Sequence, residues 1–559
     1  MPVPRYVIGV DFGTLSGRAV LVRVSDGAEV ATAVSEYQNG VIDERLPESG
    51  RQLEPDWALQ DPDDYLRVFS EAIPAVLRAG GVAPEEIIGI GIDFTACTML
   101  PTKRDGTPLC RLPEFRANPH AWVKLWKHHA AQPEADRVNQ VAAELGEPWL
   151  ARYGGKISSE WFFPKALQIL NEAPEIYEAA DRLIEAADWV VWQLTGVETR
   201  NTCTAGYKAI WSKRDGFPRP EFFRALHPRM EHIVDEKMMR ELSPIGACAG
   251  RLTPRMAALT GLHPGIAVAV ANVDAHVSVP ACKVTRPGTL VSIMGTSVCD
   301  MLLDTREAMV EGMCGYTEDG ILPGYLGYEA GQSCVGDGFA WFVENCVTPE
   351  YHDEARTTGR SIHAVLEAHA ARLRPGQSGL LALDWWNGNR SILVDADLSA
   401  VMLGITLATT PPEMYRAWIE ATAFGKRIIL DAFRAQGLTI NDIVACGGLP
   451  ERNKLFMQIT ADVVGLPIRV SASSQTPALG SAMFAAVAAG SAAGGYDSIE
   501  AAAERMAHLK DESFAPNPAH RQVYDDLYAE YVRLHDYFGR HADSAIKKLK
   551  RIKLMIRSP

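Results

Sequence analysis

The segment Tyr6-Val-Ile-Gly-Val-Asp11-Phe-Gly13-Thr14-Leu-Ser16-Gly17-Arg18-Ala-Val-Leu-Val22 has a counterpart in the other half of the chain, Thr289-Leu-Val-Ser-Ile-Met-Gly295-Thr296-Ser297-Val-Cys-Asp-Met-Leu-Leu303. In each, an apolar, β-prone run enters a Gly-Thr turn, crosses a polar tip and resumes as a second strand. Glycine lets backbone approach a ligand closely, and the N–H groups and hydroxyls of such a turn can gather round a phosphate. Two such turns facing one another would make a nucleotide site. They are unequal, because Asp11 stands just before the first Gly-Thr where the second has Ile293. The first is therefore equipped for a metal and the second for phosphate alone.

A chain of 559 residues exceeds what one core supports, so two large domains are expected, at 1–284 and 285–559. The formal charge of −14 argues against a nucleic-acid surface. Ten cysteines are scattered from Cys97 to Cys446 without a Cys-x-x-Cys, which favours reduced, buried thiols. The opening Met-Pro-Val-Pro-Arg leads straight into the first strand, leaving no room for a signal peptide. The longest apolar stretches are broken by Asp274 and His276 or by small residues, so no membrane span and a cytoplasmic location are expected.

The first third alternates strands and helices: a strand over 28–37, a loop over 39–61, a helix over 61–79 with apolar residues at Tyr65, Val68, Phe69, Ile73 and Val76, and a strand over 87–94. Residues 115–260 read as mainly helical, with helices over 121–129, 164–173, 174–195 and 220–226. The second half repeats the plan: hairpin, strands, a helix near 334–346, a long helix over 412–436, a strand over 442–445, a helix over 453–464, a strand over 468–471 and a small-residue helix over 477–489. A duplicated, two-lobed actin-like (ribonuclease H-like) α/β fold is expected, with a nucleotide cleft between the lobes. Near the end, the spacing predicts a helix over 518–538 with Val523, Leu527, Leu534 and Phe538 on one face. A basic tail follows, read as a solvated end or as a docking element.

Asp274 is the most telling acid, alone in a nearly charge-free stretch from Gly265 to Ala281. Such a carboxylate needs partners or shifts its pKa; it is either a structural turn acid or a general base for phosphoryl transfer. Asp11 reads as a turn aspartate or as a ligand of nucleotide-bound Mg²⁺, which takes one or two carboxylates beside phosphates and water. Arg18 is a phosphate partner or a plain strand residue. Gly447-Gly448 follows a strand and precedes the helix led by Asn453, a place where a flat ligand could pass. Gly336-Asp337-Gly338 is a helix start or a phosphate or base contact. No Gly-x4-Gly-Lys-Ser/Thr or His-Glu-x-x-His occurs.

In this order the motifs resemble the FGGY family of carbohydrate kinases, over about residues 6–540. Asp11-Phe-Gly13-Thr14-x-Ser16-x-Arg18 resembles its first phosphate motif, Gly295-Thr296-Ser297 its second, and Gly447-Gly448-x4-Asn453 its adenosine motif. Ala400-Val-Met402-Leu-Gly404-Ile405 with the helix from Glu413 resembles its C-terminal signature, with Trp418 and Gln168 departing from the usual residues. Thr95-Ala96-Cys97-Thr98, Gly206-Tyr207-Lys208, Glu329-Ala330-Gly331-Gln332 and Asp384-Trp385-Trp386-Asn387 resemble the branch that phosphorylates L-ribulose.

The resemblance implies an ATP- and Mg²⁺-dependent kinase making L-ribulose 5-phosphate in L-arabinose use, active as a homodimer. Asp274 would be the base, Asp11 and Asp274 metal ligands, and Ala96, Lys208, Asp274 and Glu329 the sugar pocket. Gly13, Thr14, Ser16, Arg18, Gly295, Thr296, Ser297, Gly338, Gly447, Gly448 and Asn453 would hold the nucleotide. Kinases of D-ribulose, ribitol or xylulose are the near alternatives, and a chaperone-type actin-like ATPase the remote one. On local sequence alone, Lys208 and Glu329 read equally as surface charges.

Overall fold

The first hairpin forms from Tyr6–Phe12 and Ser16–Arg23, the second from Gly288–Met294 and Val298–Asp304. The computed structural model describes residues 4–47, 49–541 and 544–557. It divides into two compact units. The first holds the chain up to Thr285 with Tyr316–Gly327 and Gln475–His508; the second holds Arg286–Gly315, Tyr328–Ser474 and the chain from Leu509 on.

In the first unit the sheet order is Glu29–Glu36, Ser16–Arg23, Tyr6–Phe12, Ile87–Phe94, Ala267–Ala269, Cys248–Arg251, with Asn272–Val273 beside the end of Ile87–Phe94. Tyr6–Phe12 runs antiparallel to Ser16–Arg23 and parallel to Ile87–Phe94, which is parallel to Ala267–Ala269. The second unit repeats this with Leu326–Gln332, Val298–Asp304, Gly288–Met294, Ile440–Cys446, Ile468–Ser471 and Leu509–Phe514. Again a hairpin strand pairs in parallel with the next strand, and an antiparallel strand closes the edge. Helix Pro62–Gly80 starts on an Asp61 side-chain cap and buries Tyr65, Val68, Phe69, Ile73 and Val76, the face that the spacing predicts.

The small-residue helix, Thr476–Ala489, belongs to the first unit rather than the second. Its reason is steric. A Cβ on Gly9 would come within 1.8 Å of the Ala478 carbonyl, and one on Gly91 within 1.9 Å of the Ser481 carbonyl. Two strands without side chains at these points let the helix backbone lie directly on them.

Between 42 and 238 a separate, aromatic-rich core forms. Here two expected helices are absent. The stretch 121–129 is a short 3-10 turn followed by the strand Val123–Lys124, because Val123 and Leu125 are both buried and the backbone pairs with Leu59–Gln60 and Met99. The stretch 174–195 breaks into helix Pro174–Ala179, strand Arg182–Glu185 and helix Ala186–Thr195, the strand pairing with Met99–Thr102.

The helix Arg521–Gly539 buries Tyr524, Tyr531, His535 and Gly539 instead of the face carrying Val523, Leu527, Leu534 and Phe538. Its tyrosines bring large apolar rings with partnered tips. The Tyr524 hydroxyl accepts from Arg416 Nη2 at 2.9 Å, and the Tyr531 hydroxyl donates to Asp384 Oδ1 at 2.9 Å. The basic tail is a helix, Ala545–Arg557, held to its own unit by Lys547–Asp395 at 2.6 Å and Lys550–Asp397 at 2.9 Å. Met1–Val3, part of the opening Met-Pro-Val-Pro-Arg that leaves no room for a signal peptide in the sequence reading, lie outside the described residues.

The second hairpin is pinned from below by Lys426 of helix Pro411–Ala435. Its ammonium donates to Asp300 Oδ1 at 2.6 Å and Ser292 Oγ at 2.8 Å, and Ser292 and Asp300 face each other across the hairpin. Both charges are buried. Removing one partner strands the other, so Lys426→Met is expected to cost about 3–5 kcal/mol of stability, read from denaturant unfolding. A loss below about 1 kcal/mol would show that this pair does not hold the hairpin.

Candidate active site

Asp11 occupies the end of the first strand, opposite Arg18 on the hairpin and beside Asp93 on the parallel strand. Burial raises the Asp11 carboxyl, opposed by a hydrogen bond from Asp93 and by the Arg18 charge. Asp93 is fully buried; burial and the Asp11 charge push it well above the usual carboxylate range, although Ser481 Oγ donates to it at 2.5 Å. Of the two acids, Asp93 is the one whose charged form burial disfavours more strongly. The charge of Asp274 also acts on Asp93. Asp274 opens helix Asp274–Ala281, where the positive end of the helix favours a carboxylate; its Oδ1 accepts from the Ala275 N–H at 2.6 Å. Among the described residues, no three His, Cys, Asp or Glu side chains enclose a metal by themselves.

The turn at Gly13 and Thr14 is braced from outside. Gly13 N–H donates to the Ser16 carbonyl at 3.0 Å. Trp126 Nε1 donates to Thr14 Oγ1 at 3.1 Å, and Gln60 Nε2 donates to the Thr14 carbonyl at 2.8 Å. Arg18 Nη1 donates to Gln475 Oε1 at 2.6 Å. Ala96 lies in the loop after Ile87–Phe94, where Thr95 and Thr98 hydroxyls meet at 2.9 Å. Lys208 ends helix Thr202–Lys208; it is buried, with its ammonium 4.5 Å over the Trp161 ring, and is no surface charge.

In the second unit, Glu329 is likewise buried, on strand Leu326–Gln332. The Gly295–Ser297 turn is tied to the helix Gly336–Cys346: Val335 N–H donates to the Thr296 carbonyl at 2.9 Å and Gly336 N–H to the Gly295 carbonyl at 3.1 Å. Gly338 is buried, and a Cβ there would fall 1.9 Å from the Trp418 ring, so its smallness accommodates that large side chain. Gly447 has φ +94°, and a Cβ on it would strike the Met294 carbonyl, whereas one on Gly448 would point into open space. Asn453 caps helix Lys454–Val464: its Oδ1 accepts from Phe456 N–H at 2.8 Å and its Nδ2 donates to Tyr415 Oη at 3.0 Å.

The N-terminal domain of the FGGY family of carbohydrate kinases matches residues 6–279 and its C-terminal domain residues 290–489. The chain belongs to the FGGY family of carbohydrate kinases. It is 58% identical over 555 residues to a ribulokinase of Halalkalibacterium halodurans, covering 99% of both chains. It is 59% identical over 546 residues to a ribulokinase of Geobacillus thermodenitrificans, covering 98% of this chain and 97% of that one. Among solved structures, xylulose kinase from Rhodospirillum rubrum superposes with a TM-score of 0.76 at 23% identity, covering 95% of this chain and 98% of that one. The FGGY fold is the two-domain actin-like α/β fold, and the family makes this chain an ATP-dependent carbohydrate kinase. No helix among the described residues is long and apolar enough to cross a membrane.

The sequence reading passes over Asp93 and Glu185 as site groups of this kinase. Asp93 stands at the end of an otherwise apolar strand, the same signal that singled out Asp274. Glu185, at the end of strand Arg182–Glu185, is buried behind the Ala96 loop and hydrogen-bonded with the Cys97 thiol. Burial pushes Glu185 up from 4.5 to about 7, with Asp188 adding to the rise and Lys165 and Lys208 opposing it. At this site the folded chain thus keeps a proton that the unfolded chain releases near pH 4.5, and the contribution of Glu185 to stability falls as pH rises from about 4.5 to 7. Glu185→Gln removes this dependence. In unfolding midpoints measured across that window, the variant is expected to gain on the wild type by up to about 1.4 kcal/mol per pH unit, then run level above pH 7. A constant difference would place the Glu185 pKa at its ordinary value.

Proposed function

We propose that the chain is an L-ribulose kinase, transferring the γ-phosphoryl group of ATP to the terminal hydroxyl of L-ribulose to give L-ribulose 5-phosphate and ADP, in cytoplasmic L-arabinose catabolism. The observation that carries this reading is 58% identity along 99% of both chains to a protein named ribulokinase. The burial of Lys208 and Glu329 supports it: a donor and an acceptor sequestered in this way suit a ketopentose, which presents hydroxyls and a carbonyl. Ala96 and Asp274 complete the assigned sugar contacts, and a homodimer is the proposed assembly.

Asp274 accepts the proton of the attacking hydroxyl as that oxygen bonds to the γ-phosphorus and the bond to the ADP oxygen breaks. Its position on the first turn of a helix sets the carboxylate at the end where the helix favours negative charge. The turns at Gly13, Thr14, Ser16 and Gly295, Thr296, Ser297 offer N–H and hydroxyl donors to phosphate, with Arg18 as a cationic partner. Gly338, Gly447, Gly448 and Asn453 are assigned to the nucleotide, and the open face of Gly448 suits a flat base.

The first hairpin suits a divalent cation, because Asp11 and Asp93 sit side by side on parallel strands and the Asp274 charge acts on the same place. Asp11 and Asp274 would hold Mg²⁺, which supplies charge neutralisation on the phosphates when bound.

Asp274→Asn is expected to fold and to lose turnover on the order of 10²–10⁴-fold at saturating sugar and ATP. Near-normal turnover removes it from the base role. With a panel of pentuloses and pentitols coupled to ADP release, L-ribulose is expected to give the highest kcat/KM. Preference for D-ribulose, ribitol or xylulose overturns the substrate assignment, and hydrolysis indifferent to any sugar overturns the kinase reading. In the same assay, Lys208→Ala and Glu329→Ala are expected to raise the sugar KM while sparing that for ATP. An equal rise in both constants would move these residues out of the sugar pocket.

A further inference from the structure

We propose that Lys165 is a positioning residue, whose single ammonium group fixes the sugar-side loop and the first phosphate turn in register with each other. Lys165 lies on the first turns of helix Phe162–Glu172 and is fully buried. Its Nζ donates to the Cys97 carbonyl at 2.6 Å and to the Leu125 carbonyl at 2.8 Å, with the Trp126 carbonyl at 3.5 Å. Cys97 adjoins Ala96 in the loop assigned to the sugar. Trp126 is the residue whose indole N–H reaches Thr14 Oγ1 at 3.1 Å in the phosphate turn. One cation therefore ties a loop on the acceptor side to the brace on the donor side, through main-chain atoms at both ends.

The supporting contacts make this brace stiff. One turn along the same helix, Gln168 Oε1 accepts from Lys124 Nζ at 3.0 Å and from His128 Nε2 at 2.9 Å, and Gln168 Nε2 donates to the Ala130 carbonyl at 3.3 Å. The His128 tautomer follows, because its Nδ1 accepts from the Ala58 N–H at 3.2 Å. Residues 124–130 are thus pinned along their length to helix Phe162–Glu172, and Trp126 is the part of that segment that faces Thr14. On the other side of the turn, Tyr65 Oη donates to Gln60 Oε1 at 2.6 Å and so orients the amide that holds the Thr14 carbonyl. Phosphoryl transfer depends on alignment of acceptor and donor to within about an ångström, so a rigid tie between the two groups of contacts acts on turnover as well as on binding. Hydrogen bonds from a charged donor are worth about 1.5–3 kcal/mol, so loss of the tie corresponds to on the order of tenfold or more.

The inference rests on assigning the Ala96 loop to sugar and the Gly13–Thr14 turn to phosphate. Its test is a double-mutant cycle with Lys165→Met, which keeps the length and removes the donors, and Trp126→Phe, which removes only the indole N–H. Steady-state constants for sugar and ATP are measured for both singles and the double, beside melting temperatures. Trp126→Phe is expected to lower kcat/KM for ATP by on the order of tenfold and leave the sugar KM unchanged. Lys165→Met is expected to raise the sugar KM and to reproduce the ATP defect, and the double variant to be no worse toward ATP than Lys165→Met alone.

Losses that multiply in the double variant, or ATP constants in Trp126→Phe equal to the wild type, overturn the proposal. Should Lys165→Met not fold, Trp126→Phe decides by itself on the second criterion. If the wild type takes a different pentulose, the substrate assignment fails, and the same cycle run on that sugar still tests Lys165.

Discussion

A carboxyl group stripped of water resists keeping its charge beside a second acid, and the first unit is built around such a pair. Asp11 and Asp93 are neighbours in register on parallel strands, and Asp93 has no exposed surface. Either a proton or a cation must stand between them. The surroundings keep the pair in place and offset its charge only in part. Ser481 donates to Asp93 from the helix above, and Arg18 faces Asp11 across the hairpin. The helix reaches Ser481 into position only because Gly9 and Gly91 leave the strands bare. Glycines that look like weak β-formers in the sequence are the condition for the acid pair.

The parts of the fold that were legible are those where local pattern and tertiary need agree. Both hairpins, helix Pro62–Gly80 and helix Pro411–Ala435 combine unbroken periodicity with clear turn or cap residues. The segment 121–129 was misleading because Trp122, Val123, Leu125 and Trp126 satisfy a helical spacing almost as well as an extended one. Pairing with Leu59–Gln60 and Met99, partners distant in sequence, decided the outcome. Helix Arg521–Gly539 is legible in the sequence, but its most buried face is rotated from the one that the spacing predicts. Aliphatic residues were expected inside, whereas Tyr524 and Tyr531 reach buried acceptors and donors on Arg416 and Asp384 that no local window reveals.

The candidate site shows the same division. Asp274 and the Gly-Thr turns stood out through contrast with their neighbours. Lys208 and Glu329 carried no local sign of burial, and only the resemblance to a family singled them out. Glu185, Lys165 and Trp126 were invisible as site residues because their importance lies in what they hold: a thiol, three carbonyls and a threonine hydroxyl from remote segments. The departure at Trp418 has a packing explanation. The ring occupies space left by Gly338 and lies against Trp386, with ring centroids 3.4 Å apart.

The return of Gln475–His508 to the first unit bears on how the gene can be cut. A fragment ending at residue 285 would encode a sheet whose bare glycine strands meet solvent in place of Ala478 and Ser481. A self-sufficient N-terminal fragment would need 475–508 grafted on through a linker. Recombination between relatives at the midpoint would likewise exchange the sheet of one parent for a mismatched helix of the other, so viable crossovers should carry both pieces together.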